Sequence, residues 1–380
     1  MDASAASALP APPPVPIVLV YSQGRKAAGG GHEIDTQWEL ARQIAELKGA
    51  QLAGNVDDAC IASADRYLVP DDTLTVDEAR KLGVASERDL YGGVVPYPFV
   101  ATKLIAHELP PGARHAPHGW SREFSEQVRG LVLPGYAAFS RDDALDAAAS
   151  LWPGGRVRIK RPYGIGGAGQ ALVETGEQLA AELDDIGDAA LQAEGVVVER
   201  HLENIETLSV GRITLDGLVA SYHGVQRLTV NNHGHHVYGG SDLVVVRGDF
   251  DALARLDMAD DVREAIARAR AFDACVQKYY AGFYASRRNY DVGWGADANG
   301  THYCGVLEQS WRLGGASGAE IGALRVLQAD RNAHTVRAST WEIYGAHAEV
   351  PAGACLIYHG TDPQAGEITK FYTVDGSSET

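Results

Sequence analysis

The stretch RRNYDVGWGADANGTHYCGVLEQSWR, residues 287–312, concentrates more chemistry than any other part of the chain. Asn299-Gly300 is a preferred central pair for a two-residue type I′ hairpin turn, because both positions of that turn need positive φ. Asp291 and Glu308 stand equally far from the pair on its two sides, so such a turn sets them directly opposite one another. Opposed residues on one sheet face have Cβ atoms about 4.5–5.5 Å apart, and like charges placed so are destabilising without a cation beside them. Mg2+ takes one or two carboxylates and completes its shell with water and nucleotide phosphates. Ser310 and Arg312 follow Glu308 at alternate positions and leave the same face. A hydroxyl and a guanidinium beside a metal suit phosphoryl transfer. Spacing alone leaves another arrangement open, with both acids solvated and paired to Arg287 or Arg288. A bulge near Gly293–Gly295 would also shift the register.

Upstream, RVRIK ends an alternating strand on Lys160, and Gly164, Gly166, Gly167 and Gly169 follow at once. Glycines let backbone N–H groups approach phosphates, and a strand lysine adds a point charge. The pattern is neither a Walker loop nor a dinucleotide fingerprint, so a ligand-free glycine hairpin is the alternative. VVVERHLENIET, residues 196–207, is a buried strand followed by Glu199, Leu202 and Glu206. Its backbone can serve an adenine edge and its later acid a ribose; alone, it is an ordinary loop entry.

The rest of the chain frames these pieces. Fifty acidic against 33 basic residues give a net charge of −17, which disfavours duplex nucleic acid as a partner. Hydrophobic residues at 45% and charged residues at 22% exclude bulk disorder. No apolar run suits a membrane helix. Cys60, Cys275, Cys304 and Cys355 lie too far apart for a CxxC framework, as a reducing cytoplasm allows. Residues 1–16 form an Ala/Pro-rich lead without the pattern of a signal peptide. IVLVY (17–21), a Gly-rich loop and a helix capped by Asp35 or Thr36, with Leu40, Ile44 and Leu47 inward, open an α/β unit over 17–100. Residues 101–155 read as helical, with Ser140 capping RDDALDAAASLW. TLSVGRITL and LVASYHGVQR form a hairpin about Asp216-Gly217, and 258–280 a helix with Ile266, Phe272, Val276 and Tyr280 inward.

In this order the pieces resemble the ATP-grasp superfamily, in its carboxylate–amine ligase type, over residues 130–320. The matching segments are LPGYAAFSRDDALDAAASL, RVRIKRPYGIGGAGQALV, VVVERHLENIETLSV and YDVGW…VLEQSWRLGGAS. The resemblance implies α/β with α+β architecture: an N-terminal open α/β domain, then a two-subdomain ATP-grasp fold. The subdomains would span 156–205 and 206–345, followed by a C-terminal segment, 346–380. It implies ATP and Mg2+ as cofactors, with Lys160 on the α/β phosphates and Gly164, Gly166, Gly167 and Gly169 closing over β/γ. Glu199 to Leu202 would line adenine, Glu206 would take the ribose, and Leu307 would pack on either. Asp291, Glu308 and Ser310 would hold the metal, and Arg312 would steady the transferred phosphate or acyl phosphate. Lys103, in VATKLIAHEL, resembles an upstream phosphate-binding lysine. Arg227 either faces the same cavity as a catalytic cation or is an exposed strand arginine.

Two departures stand out: Ser310 occupies the family's Asn position, and the Asp291–Glu308 connection is longer than in compact members. The loop GGGHEIDTQWELARQIAEL resembles the substrate loop of D-alanine–D-alanine ligases, which makes Glu33 either a substrate contact or a plain helix-start acid. NNHGHH (231–236) is either a metal site or a solvated hairpin tip. The implied activity joins a small-molecule carboxylate to an amine or thiol through an acyl phosphate, without nucleic acid or membrane, as a monomer or homodimer. Carboxylation or phosphotransfer at the same site, or nucleotide binding without chemistry, are the other readings.

Overall fold

The apolar run IVLVY becomes β1 (Ile17–Tyr21), flanked in parallel by β2 (Gln51–Asn55) and β3 (Arg66–Pro70) in the order β2-β1-β3. The computed structural model describes residues 16–22, 31–56, 65–164 and 169–378. Helix α1 (His32–Lys48) covers this sheet with Leu40, Ile44 and Leu47 buried, as the periodicity requires. Its start differs from expectation. The helix begins at His32, upstream of Asp35 and Thr36, and Asp362 far along the chain accepts the His32 N–H at 2.9 Å. A capping acid supplied by tertiary contact has displaced the local one.

A small sheet follows, with β4 (Leu74–Thr75), helix α2 (Val76–Lys81) and β5 (Gly93–Val95). Two 3-10 turns, Pro98–Ala101 and Lys103–Ala106, lead to helix α3 (Arg122–Val128). Gly135–Ala138, inside the segment read as helical, is a strand, β6. Its four residues are too short for periodicity to distinguish, and pairing with a later strand decides the matter. Ser140 caps helix α4 (Arg141–Leu151) by accepting the Asp143 N–H at 3.2 Å.

Strands β7 (Val157–Lys160) and β8 (Gln170–Val173) precede helices α5 (Gly176–Ile186) and α6 (Asp188–Glu194), and β9 (Val196–Arg200) completes a sheet in the order β6-β9-β7-β8. Val157, Ile159, Val196 and Val198 point into a core with α4 and α5. The opposite face carries Arg158, Lys160, Val197 and Glu199, by strand alternation and register.

The larger sheet comprises β10 (Glu203–Leu215), β11 (Leu218–Val230), β12 (His236–Arg247), β14 (Arg287–Ala296), β15 (His302–Ser310), β16 (Thr335–Tyr344), β17 (Cys355–Asp362) and β18 (Gly366–Ser378). Its order is β15-β14-β10-β11-β12-β16-β18-β17, so the C-terminal strands extend the sheet that carries the acids. Helix α7 (Phe250–Leu253) and helix α8 (Asp260–Tyr279) lie on one face, where Ile266, Phe272 and Val276 are buried. Each such side chain contributes about 1.5–3 kcal/mol. Strand β13 (Tyr284–Ala285) pairs with β5, and helix α9 (Ser317–Ala329) packs on the other face beside α1. At the β10–β11 turn Asp216 and Gly217 both have positive φ, as a type I′ turn demands.

Candidate active site

Lys160 ends β7 with its side chain buried, and its ammonium lies 2.6 Å from Glu199 Oε1. The other carboxylate oxygen meets His107 Nε2 at 3.1 Å. Burial alone would raise the Glu199 carboxyl, but Lys160 and then His107 outweigh it and hold the group down at about 2. Glu199 thus keeps its charge in a site shielded from water. Its side chain, expected against adenine, is committed to Lys160 and His107. The amides of Arg200 and His201 are committed too, to the carbonyls of Pro134 and Arg156.

This pairing makes a stability prediction. The Glu199 carboxyl falls from an ordinary 4.5 to about 2, so its stabilisation is complete above 4.5 and lost as pH drops toward 2. Glu199→Gln is expected to cost about 3 kcal/mol at neutral pH and almost nothing near pH 2. Urea unfolding of both proteins across that range measures it; parallel curves would refute the assignment.

On the larger sheet, Asp291 pairs with Glu308 across β14 and β15, as expected, but by a different route. The turn is not type I′: Asn299 lacks positive φ and only Gly300 has it, φ +77. Asp297 accepts the Asn299 and Thr301 amides and closes a longer loop. The ladder next to the turn is therefore offset by a residue. A bulge at Leu307, between the pairs Val292–Val306 and Asp291–Glu308, restores the register.

The two acids have different surroundings. Burial and the neighbouring Glu308 charge push the Asp291 carboxyl well above its usual range. Asn289 Nδ2 donates to it at 2.9 Å, and Ser209 Oγ stands 3.4 Å away. Glu308 is pulled down: burial opposes its ionisation, but Lys103 dominates, aided by Lys160 and Arg312. Lys103 Nζ lies 2.8 Å from Glu308 Oε2 and donates to the Gly164 carbonyl at 2.9 Å. One lysine thus joins Glu308 to the mouth of the glycine loop. Gly164 and Gly169 flank that loop; Gly166 and Gly167 lie outside the described residues.

Arg312 reaches toward Asp72 at 3.6 Å and donates to the Leu313 carbonyl at 2.8 Å. Ser310 Oγ accepts from Arg287 at 3.3 Å and so is already engaged within the protein. Leu307 and Ile205 crowd over Gly293, where a Cβ would meet Ile205 Cδ1 at 2.7 Å and Leu307 Cδ1 at 3.0 Å. Leu202 is buried beside Gly295, and Glu206 is exposed opposite Trp294. These residues line the junction of the two sheets, which Arg200 fastens by donating to Asp297 at 3.0 Å and Tyr303 at 2.6 Å.

Arg227 stands apart. It pairs with Asp242, donates to the Thr340 carbonyl and lies 3.8 Å from the centre of the Trp341 ring. Gln226, one residue earlier, bonds Ser209 Oγ at 2.9 Å and reaches Asp291, so the strand presents its amide rather than its arginine to the acids. Glu33 occupies the first turn of α1. The 231–236 tract is tied to the β17–β18 turn, Asn232 donating to the Ala365 and Glu367 carbonyls at 2.6 and 2.9 Å. Among the described residues no group of three or more His, Cys, Asp or Glu side chains is placed to hold a metal.

Behind the acids lies a buried polar network absent from the sequence reading. Arg287 and Glu320, almost wholly buried, pair at 2.7 Å. Tyr91 donates to Glu320 at 2.9 Å, and the Tyr222 hydroxyl sits between Glu320 and Asn289. Arg287 also donates to the Arg312 carbonyl at 2.7 Å. Asn289 was open to the alternation argument that found Ser310. His107 was not, because its partner lies 92 residues away.

A family profile described as "Protein of unknown function (DUF3182)" matches residues 19–372, and the chain belongs to that family. No curated protein matches. Among solved structures, N5-carboxyaminoimidazole synthetase from Staphylococcus aureus aligns at 12% identity, covering 95% of this chain and 93% of its own, with a TM-score of 0.50. Biotin carboxylase from Campylobacter jejuni, in a β-γ-ATP complex, aligns at 14% identity, 95% and 88% coverage and TM-score 0.51. The biotin carboxylase domain of 2-oxoglutarate carboxylase from Hydrogenobacter thermophilus, with MgADP and bicarbonate, gives 11%, 96% and 86%, and 0.50. The chain has the ATP-grasp fold.

Proposed function

We propose that this protein is an ATP- and Mg2+-dependent ligase that joins a small-molecule carboxylate to an amine through an acyl phosphate. The observation that carries this reading is the Lys103–Glu308 ion pair at 2.8 Å, set directly across the sheet from Asp291 and within the fields of Lys160 and Arg312. An acid pair with one member hard to ionise is a donor set that a divalent cation completes, and two protein carboxylates suit Mg2+ shared with phosphates. Asp291 and Glu308 would hold the ion, which supplies charge neutralisation at the phosphates when bound. Ser310, committed to Arg287, adds little to that shell.

The chain's own residues do the positioning. Lys160, fixed by Glu199, offers its ammonium to the phosphates, and Lys103 can exchange Glu308 and the Gly164 carbonyl for a phosphate oxygen. Leu202 offers its main chain to adenine, Leu307 and Ile205 supply an apolar wall, and exposed Glu206 takes ribose hydroxyls. A substrate carboxylate oxygen attacks the γ-phosphorus; the P–O bond to the β-phosphate breaks and ADP leaves with its electron pair. The amine then attacks the acyl carbon, the C–O bond breaks, inorganic phosphate departs and one proton passes to solvent. Arg312 faces the charge that develops on the transferred group, the kind of fixed electrostatic stabilisation that needs no dedicated base.

ATP with Mg2+ is expected to raise the melting temperature by several degrees, and mixed acid and amine pools to release ADP. Product mass identifies the reaction: an amide loses water, a carboxylation adds CO2, a phosphotransfer adds phosphate. Absence of stabilisation by any nucleotide would refute nucleotide chemistry here. Binding without turnover across broad panels would leave a nucleotide-binding protein.

A further inference from the structure

His107 follows the 3-10 turn Lys103–Ala106, whose Leu104, Ile105 and Ala106 are buried in the core. The segment around this turn is fastened to both sheets. Gln309, the neighbour of Glu308 on β15, donates to the Val100 and Thr102 carbonyls at 3.0 and 2.6 Å. On the other side Glu108 bridges to Tyr136 of β6, and its carbonyl accepts the Ala137 N–H at 2.8 Å. A stretch held at both ends presents its side chains at fixed positions. Two of them reach the candidate active site: Lys103 meets Glu308 at 2.8 Å, and His107 meets Glu199 at 3.1 Å.

The His107 ring makes one polar contact. Its side chain is wholly buried, and Nε2 faces Glu199 Oε2. A charged carboxylate only accepts, so Nε2 carries the N–H in this contact. Nδ1 is buried and has no hydrogen-bond partner among the described residues, although buried polar atoms are ordinarily satisfied. Gly135 makes room for the ring: a Cβ there would stand 2.7 Å from both Cε1 and Nδ1 of His107. An unsatisfied nitrogen in a dry pocket costs stability, so the worth of this histidine lies in its bond to Glu199.

That bond bears on Lys160. A carboxylate offers two oxygens, and an ammonium with three donors can bridge both. With Oε2 taken by His107, Lys160 meets Oε1, at 2.6 Å. Arg158, the register partner of Glu199, is engaged elsewhere: its guanidinium donates to Gln170 Oε1 and His201 Nδ1, each at 3.1 Å.

We infer that His107 is a positioning residue for Lys160. By occupying the second oxygen of Glu199 it keeps the lysine on the first, with the remaining ammonium donors turned to the phosphates of a bound nucleotide. Without the ring, the ammonium closes on both oxygens, and phosphates must then break a charge-assisted contact in a site shielded from water. This inference rests on the nucleotide reading of the site.

The test measures binding of ADP and of adenosine to the full chain by calorimetry, with Mg2+ present. His107→Phe keeps a ring and removes the donor. It is expected to weaken ADP about tenfold, the scale of one charge-assisted hydrogen bond, and to leave adenosine, which offers Lys160 no phosphate, within about twofold. His107→Leu, which also lacks a donor, should match it, and His107→Gln, which restores an N–H, should recover most of the ADP affinity. Lys160→Met should weaken ADP as well, and His107→Phe in that background should add little further loss, because the two side chains act through one contact. A cooperative melt identifies the variants that fold. Unchanged ADP affinity in His107→Phe and His107→Leu, equal losses of ADP and adenosine, or full additivity with Lys160→Met would overturn the positioning role and leave the nucleotide reading standing. No binding of ADP or ATP by the wild type would overturn both.

Discussion

Glu308→Ala is expected to lower ADP formation by about 10²–10³-fold or more, the scale on which single groups that stabilise transition-state charge act. The size follows from the position. Glu308 faces Asp291 on one side and accepts the Lys103 ammonium at 2.8 Å on the other, within the fields of Lys160 and Arg312. Removing it takes away half of the carboxylate pair and frees Lys103 from the geometry that points it at the glycine loop. Asp291→Asn provides the contrast. It removes a carboxylate whose ionisation is opposed by burial and by Glu308, so the metal-free variant should melt above the wild type at neutral pH while losing ADP formation to a similar extent. Gain of stability with loss of activity is the signature of an acid kept for chemistry. If both variants remain active, or if Asp291→Asn melts lower, the two acids are structural. Steady-state ADP assays and metal-free melting curves decide between these outcomes.

Glu320→Gln should be the most destabilising single change in the chain's polar interior, at about 3–5 kcal/mol. The glutamine would leave the fully buried Arg287 guanidinium without a counter-ion and disturb the hydroxyls of Tyr91 and Tyr222. Replacing both partners by Met should recover much of the loss, because no charge is then stranded. Urea unfolding of the single and double variants gives the coupling directly; a single variant within about 1 kcal/mol of wild type would show that the pair bears little weight. The effect should extend to catalysis, since Arg287 also holds the Ser310 hydroxyl and the Arg312 carbonyl.

Much of the candidate site could be read before any fold was known. Lys160 beside a glycine loop, and acids at equal distances from a turn, are short-range patterns. The opposition of Asp291 and Glu308 emerged correctly although the turn did not: the longer loop at Asp297–Thr301 and the bulge at Leu307 offset one another. Composition contains no signal for a bulge, because its cost and benefit depend on packing on both faces. Lys103 was visible as a lysine, but its attachment to Glu308 was not. Arg227 looked equally suited to the cleft, and the ring of Trp341 and the carboxylate of Asp242 hold it elsewhere.

The same division runs through the whole molecule. Strand alternation, helix periodicity, the Ser140 cap and the clustering of like charges are settled within a few residues, because they arise from backbone geometry and local repulsion. Those features, with the resemblance they carry, were enough to anticipate the α/β with α+β body of the ATP-grasp fold. The neutralisation of each charge belongs to tertiary structure: Glu199 by Lys160 and His107, the α1 terminus by Asp362, Arg287 by Glu320, Lys370 by Glu342. Burying a charge costs far more than leaving it in water unless a partner arrives. Each partner comes from a distant point in the chain, and only the assembled fold selects it.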